Sequence, residues 1–409
     1  MELSSLRSEN FELFSPKDIN NMNFDKKINR INTHSSKWDM MEEIYGVAPK
    51  TGTPMWVADM DFEPPIEVSN ALSLMSKQGV YGYYGDDKSY RESIIGWMKR
   101  RHNWDVNPDH IFSTHGLVNG TALCIQSFTE AGDGIVLFTP VYHAFSKVIN
   151  AANRKLIECE LEINDGRYEM NFDKYDAQMD GSAKMVILCS PHNPGGRIWS
   201  IDELKQVAAF AEKHNLILIS DEIHHDITFG SKHTVMQIAA PEISERLVMM
   251  TAATKTFNIA GCHTGNVIIV DNKLRAKFAK TMKATGTSPN SFGLYMAEAA
   301  YKYGDEWVDK LCEYLDGNRK ILDATIARIP GVKSMELEAT YLSWIDFSGT
   351  GMCKADYIDR VQKQAQIASS HGDTFGTGGE TFLRFNFATQ REVLIKAMER
   401  LEHAFSDLQ

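Results

Sequence analysis

The 409 residues hold only six cysteines (124, 159, 189, 262, 312 and 353), and no two of them stand in a CxxC pair. Their scatter, with several inside apolar runs, excludes a disulfide framework and reads as buried thiols in a reducing compartment. No apolar run is long enough to span a bilayer, which excludes a membrane role. The opening residues, Met1-Glu2-Leu3-Ser4-Ser5-Leu6-Arg7, lack the basic-then-apolar pattern of a signal peptide, so a soluble cytoplasmic protein is expected. Basic residues are also short, 43 against 54 acidic for a formal net charge of −11, and this argues against a nucleic-acid or membrane-surface partner. Internal repeats, low-complexity tracts and Pro/Ser-rich linkers are missing as well.

What the chain does have is a 43% hydrophobic content, enough for a large core divided between two domains of one protomer. Residues 1–23 are polar and weakly patterned and read as an N-terminal arm. From about 65 to 300, short apolar runs alternate with amphipathic stretches: Ile111 to Thr114, Gly134 to Phe138, Met185 to Cys189, Leu216 to Ser220, Leu247 to Thr251 and Asn266 to Val270. Between two of them, Leu204, Val207, Ala208 and Ala211 make a helical stripe over Asp202 to Asn215. This rhythm predicts an α/β domain with a mostly parallel sheet flanked by helices. Beyond residue 300 the pattern changes to charged helices (Asp305 to Ile329, Ala355 to Ala368) and short strands (Tyr341 to Phe347, Thr381 to Ala388), a smaller α+β domain.

The most informative residue is Lys255, which a small-residue turn carries out of the apolar run ending at Met250. Two other apolar runs end in comparable fashion, one at Ser190-Pro191-His192-Asn193-Pro194-Gly195-Gly196-Arg197 and one at Ser220-Asp221-Glu222-Ile223-His224. Three strand ends thus bring an amide, a carboxylate and an amine to one rim, where open α/β sheets bind ligands. Pyridoxal phosphate needs such a trio: an amine for the Schiff base, a carboxylate that keeps the pyridine nitrogen protonated, and an amide for the phenolic oxygen. Arg384, between apolar neighbours in Phe382-Leu383-Arg384-Phe385, needs a buried partner, and a substrate α-carboxylate is a natural one. His224-His225-Asp226 invites a metal reading, but adjacent histidines point different ways and no third ligand falls at a metal spacing, so no metal is expected.

With these residues in place, the chain resembles the fold-type-I pyridoxal-phosphate enzymes of the class I/II aminotransferase superfamily. Within that superfamily it is most similar to the MalY/PatB group of cystathionine β-lyase-like carbon–sulfur lyases. The likeness runs from about Phe24 to the C-terminus, carried by Lys37-Trp38-Asp39, Trp56-Val57-Ala58-Asp59-Met60-Asp61-Phe62, Tyr81-Gly82-Tyr83, Pro140-Val141-Tyr142, Lys255-Thr256-Phe257-Asn258 and Leu383-Arg384-Phe385-Asn386. It implies the PLP-dependent transferase fold: a large cofactor domain over 61–300 with a seven-stranded-type sheet, and a small domain built from 24–60 and 301–409. It also implies roles. Lys255 is the Schiff-base lysine and general base, Asp221 the partner of the ring nitrogen, Asn193 and His224 neighbours of the ring oxygen, and Tyr142 the ring that stacks on the cofactor. Gly116, Leu117 and Val118 open a phosphate cradle, with Thr254 adding a hydroxyl. Tyr83 reaches the phosphate of the neighbouring subunit, which makes the site a homodimer property. Arg384, Ala58 and Asn193 receive the amino-acid substrate.

Two departures from the superfamily pattern stand out. The arginine that many members carry eight residues after the lysine is His263 here, and the serine often found three before it is Ala252. Phosphate binding must therefore rest on backbone N–H groups, Thr254 and the partner tyrosine. The resemblance implies a β-lyase that converts L-cysteine S-conjugates such as cystathionine to thiol, pyruvate and ammonia. The alternative it leaves open is an aminotransferase of aromatic or neutral amino acids, with a partner-binding regulatory role as a minor third reading.

Overall fold

The computed structural model describes residues 22–408, so the expected arm over 1–23 lies, apart from its last two residues, outside the described residues. The strands in chain order are β1 (Thr53–Met55), β2 (Ile111–Thr114), β3 (Gly134–Thr139), β4 (Lys155–Glu160), β5 (Glu162–Asn164), β6 (Arg167–Glu169) and β7 (Ala183–Cys189). They continue with β8 (Ile217–Asp221), β9 (Leu247–Thr251), β10 (Gly265–Ile268), β11 (Lys333–Ser334), β12 (Leu342–Asp346), β13 (Ile367–His371) and β14 (Phe382–Asn386).

Seven of them form one sheet in the order β2-β10-β9-β8-β7-β3-β4. Every pairing is parallel except those of β10, which runs antiparallel to both β2 and β9. The strands read as unbroken apolar runs because both faces are covered. Alternate side chains serve two cores: Val136, Phe138, Val186, Leu188 and Met249 enter one cluster, while Ile135, Leu137, Met185, Ile187 and Met250 enter the other. The helix expected over Asp202–Asn215 spans Ile201–Lys213, started by a reciprocal capping box between Ser200 and Glu203. No helix among the described residues is long and apolar enough to cross a membrane.

The second sheet has the order β1-β13-β14-β12-β11, so a strand from the N-terminal part joins four from the C-terminal part. Here the structure corrects the helix read over Ala355 to Ala368. That helix covers Lys354–Asp359, loosens into a π turn at Arg360–Gln364, and ends where Gln366 takes φ +54°. Ile367, Ala368 and Ser369 then pair with Thr53, Pro54 and Met55, a long-range ladder that overrides the local helical pattern. Of the cysteines, 124, 159 and 189 are buried, 262 and 312 are half-buried, and Cys353 is exposed, contrary to the reading of all six as buried thiols.

A buried ionic knot fastens the segment that follows β1. Lys37, fully buried, donates to Asp61 Oδ2 (2.8 Å) and to the Asp59 carbonyl (3.1 Å). Arg30 bridges Asp61 Oδ1 (2.9 Å) and Asp59 Oδ2 (2.7 Å), and the Trp38 indole donates to Asp61 Oδ1 (2.9 Å). Burial alone would raise the Asp61 carboxyl, but the charge and hydrogen bond of Lys37, with Trp38 and Arg30, outweigh it and hold the group below the usual carboxylate range. Asp61→Asn removes the nearer countercharge of the buried Lys37 ammonium and leaves only Asp59 at 3.9 Å, a loss of about 3–5 kcal/mol, and should lower the melting temperature markedly at neutral pH. Because the folded value is depressed, this stabilisation is present above the unfolded value near 3.9 and fades as pH falls through the folded one. Melts of both proteins across that acid range should therefore converge.

Candidate active site

β2 and β9 run the same way as β3, β7 and β8, so all five point their C-terminal ends at one edge. Thr114 ends β2, Thr139 ends β3, Cys189 ends β7, Asp221 ends β8 and Thr251 ends β9. Gly116, Tyr142, Asn193 and Lys255 follow within a few residues, so the structure collects along one edge what the sequence placed at separate strand ends.

Lys255 sits in the one-turn helix Ala253–Thr256, and its Nζ donates to the Ala58 carbonyl at 2.5 Å. Tyr341 donates to the same carbonyl at 3.0 Å. Burial disfavours the ammonium form and brings the amine down to about 8; Arg384 pushes the same way, while Asp59 and Asp221 oppose it. Asp221 is buried, accepts a hydrogen bond from the Ile223 amide (3.1 Å), and is raised to about 7, chiefly by burial. A carboxylate in that condition calls for a cationic N–H partner.

Arg384 is 2% exposed and has no carboxylate in contact. It donates to Asn193 Oδ1 (2.9 Å) and the Trp56 carbonyl (2.8 Å), lies 3.4 Å from Ser370 Oγ, and sits 4.9 Å over the Phe375 ring. Its Nε is buried with no partner. Burial lowers the guanidinium to about 10 against the pull of Tyr142, Tyr45 and Tyr341. A buried guanidinium without an ion-pair partner is a receptor for a carboxylate.

His224 is buried and neutral, lowered well below the usual range by burial and then by Lys255 and Arg384; its Nδ1 has no partner. Tyr142 is half-buried, its hydroxyl raised by burial and close enough to feel both Arg384 and Asp221. Gly116 caps the helix Leu117–Phe128 with φ +82°, a conformation that favours glycine, so the first helical N–H groups, those of Leu117 and Val118 among them, have no intrahelical acceptor. Gly265 of β10 must also be glycine, since a Cβ there would meet the Gly116 carbonyl carbon at 2.9 Å and Leu117 N at 3.1 Å. Thr254 is buried in the lysine-bearing turn. Tyr83 is fully exposed, so within its own chain it contacts none of these groups. His263, at the position of the missing arginine, takes φ +47° and is exposed.

The residues fit pyridoxal phosphate: a dry amine, a buried carboxylate without a cation, an amide, a phenol and a helix-start cradle share one edge. The site also has walls that the sequence reading did not single out. Tyr341 and Asp59 face Lys255, while Tyr45 and Ser370 stand with Trp56 beside Arg384. Their only sequence signal lay in the Trp56 to Phe62 stretch; Tyr341 is reached through chain folding alone. Amine-selective labelling of Lys255 in cofactor-free protein should titrate with a midpoint near 8, far below the ~10.4 of an ordinary lysine. Asp59→Asn removes a charge that favours the ammonium and should move the midpoint lower still. A midpoint near the ordinary value would contradict the electrostatics described here.

Known proteins bear on this geometry. The family model for aminotransferase class I and II matches residues 55–401. Cystathionine beta-lyase PatB of Bacillus subtilis is 36% identical over 389 residues, covering 94% of this chain and all of the relative. Protein MalY of Escherichia coli is 28% identical and covers 93% of this chain and 98% of its own length. Among solved structures, cystalysin from Treponema denticola, which contains a pyridoxal 5′-phosphate cofactor, superposes with a TM-score of 0.90 at 37% identity, over 95% of this chain and 100% of that one. A pyridoxal-phosphate-bound C-S lyase from Staphylococcus hominis gives 0.87 at 28% identity, over 94% and 98%. The chain belongs to the aminotransferase class I and II family.

Proposed function

We propose that the protein is a pyridoxal-phosphate-dependent carbon–sulfur β-lyase that cleaves L-cysteine S-conjugates, with L-cystathionine the leading candidate, to thiol, pyruvate and ammonia. The observation that carries the site chemistry is the pairing of a near-neutral Lys255 amine with the uncompensated Arg384 guanidinium. Relatives named as cystathionine β-lyases, one of them matched over its whole length, support elimination over transamination.

When bound, pyridoxal phosphate supplies a ring that takes up the electron pair left by the Cα–H bond. Lys255 anchors it through its amine, and Asp221 supplies the negative charge that keeps the ring nitrogen protonated. Asn193 and His224 would meet the ring oxygen, and Tyr142 would cover the ring. The Leu117 and Val118 N–H groups and the Thr254 hydroxyl would hold the phosphate in place of the absent arginine. Arg384 receives the substrate α-carboxylate, with Asn193 and the Ala58–Asp59 segment closing that side. Lys255 removes the Cα proton and, as its conjugate acid, delivers a proton to the departing sulfur, a double task suited to an amine titrating near working pH. Exposed Val80, Tyr81 and Tyr83 are read as part of a homodimer face through which Tyr83 completes the partner's phosphate site, and the unpaired cysteines suit a reducing cytoplasm.

The purified protein incubated with L-cystathionine and no 2-oxo acid should release pyruvate steadily. Turnover that appears only after a 2-oxo acid is added would favour the aminotransferase reading instead. Arg384→Gln should weaken kcat/KM on the order of 10²-fold or more, since the α-carboxylate loses a charged bidentate partner.

A further inference from the structure

Behind the lysine-bearing turn lies a buried polar knot that the reaction described above does not use. Asp226, 6% exposed, accepts hydrogen bonds from Thr256 Oγ1 (2.7 Å) and Trp97 Nε1 (3.1 and 3.3 Å to its two oxygens) and lies 2.7 Å from His102 Nε2. His225 Nε2 is 3.3 Å away, its ring 4.1 Å from that of His102. The reading of His224-His225-Asp226 found no third metal ligand by spacing; the structure brings one, His102, into the group His102, His225 and Asp226, whose ligand-type atoms lie within 4.8 Å of each other. The carboxylate, however, is already filled by the Thr256 and Trp97 donors together with His102, which makes it a hydrogen-bond hub.

The hub joins three segments. Thr256 is the residue after Lys255, Asp226 closes the turn that starts at Asp221, and Trp97 and His102 belong to the helix Lys88–His102. The other end of the 221–226 turn is pinned by Glu222, which accepts from Ser220 Oγ (2.9 Å) and the Met236 amide (2.9 Å) and lies 2.8 Å from His233 Nε2. β8 and β9 fix the two strand ends, with a last rung from the Glu222 N–H to the Met250 carbonyl (2.9 Å), but beyond Glu222 and Thr251 the chain leaves the ladder. The hydroxyl of Thr256 on Asp226 is then the direct side-chain tie between the turn that bears the amine and the turn that follows the ring-anchoring carboxylate.

We propose that Asp226 is a positioning residue for Lys255: through Thr256 it fixes where the amine stands relative to Asp221 and the Ala58 carbonyl. The proposal rests on the cofactor reading above. It matters because an ångström of misplacement at a reacting group can cost on the order of 10²-fold in rate.

The test compares Thr256→Val, which keeps shape and loses the donor, with Thr256→Ser, which keeps the donor, and with Asp226→Asn. Thr256→Val should lower kcat roughly tenfold or more with KM within about twofold, and Thr256→Ser should recover most of it. The decisive readout needs neither cofactor nor substrate. In cofactor-free protein at one mildly alkaline pH, an amine reagent should modify Lys255 of Thr256→Val about tenfold faster than wild type, as local release from Ala58 demands. Lys37, fully buried in its own ionic knot, is the internal reference and should label at the wild-type rate. Wild-type labelling of Lys255 in Thr256→Val overturns the proposal, and so does a joint rise at Lys255 and Lys37, which marks general loosening. Should Asp226→Asn not fold, the Thr256 pair decides alone. A wrong choice of substrate class would leave the labelling result untouched.

Discussion

Burial disfavours charge on the Lys255 amine, yet the amine stands within reach of Asp59, Asp221 and Arg384 and donates to the Ala58 carbonyl. The balance of those influences brings it down to about 8, and the rest of the site is arranged around that balance. Asp221 and Arg384 are both buried and lack ion-pair partners of their own, so the site holds one carboxylate and one guanidinium that small molecules can complete. Groups left in such a state cost stability, and their persistence marks a site prepared for a ligand rather than for folding.

The large sheet supplies the rigid half of this arrangement. Parallel strands covered on both faces put Asn193, Asp221 and Lys255 on one edge. The other half comes from a distant part of the chain. The Trp56 to Asp61 segment presents backbone carbonyls to Arg384, Lys255 and Tyr341, and it is held by Asn386, whose amide donates to the Val57 and Asp59 carbonyls at 2.6 Å each. The Lys37–Asp61–Arg30 knot braces the same segment from behind. The second sheet is therefore not an accessory; it carries the wall against which the lysine is held.

How much of this was readable depended on chain distance. Asn193, Asp221 and Lys255 each follow an apolar run, so local pattern sufficed to place them. The Gly116 turn was readable because glycine there precedes a helix. Tyr341 and the Asp226–His102 contact join residues far apart in sequence, and no periodicity signals them. Ile367 and Ala368 were misread as the end of a helix because their strand partner lies more than three hundred residues upstream. Tyr83 is a separate case: its side chain finds nothing in its own chain, and the role expected of it belongs to an assembly of two. Neither branch of the chemistry is written in these residues, since elimination and transamination would use the same amine, carboxylate and guanidinium.

The fate of the substrate nitrogen tests the account most directly. L-Cystathionine carrying a heavy nitrogen isotope on its cysteine half would be turned over with 2-oxoglutarate present in excess. Isotope recovered in ammonia, in step with thiol and pyruvate, is the result expected of a β-lyase. Isotope recovered in glutamate, with no thiol released, would contradict it and make the protein an aminotransferase.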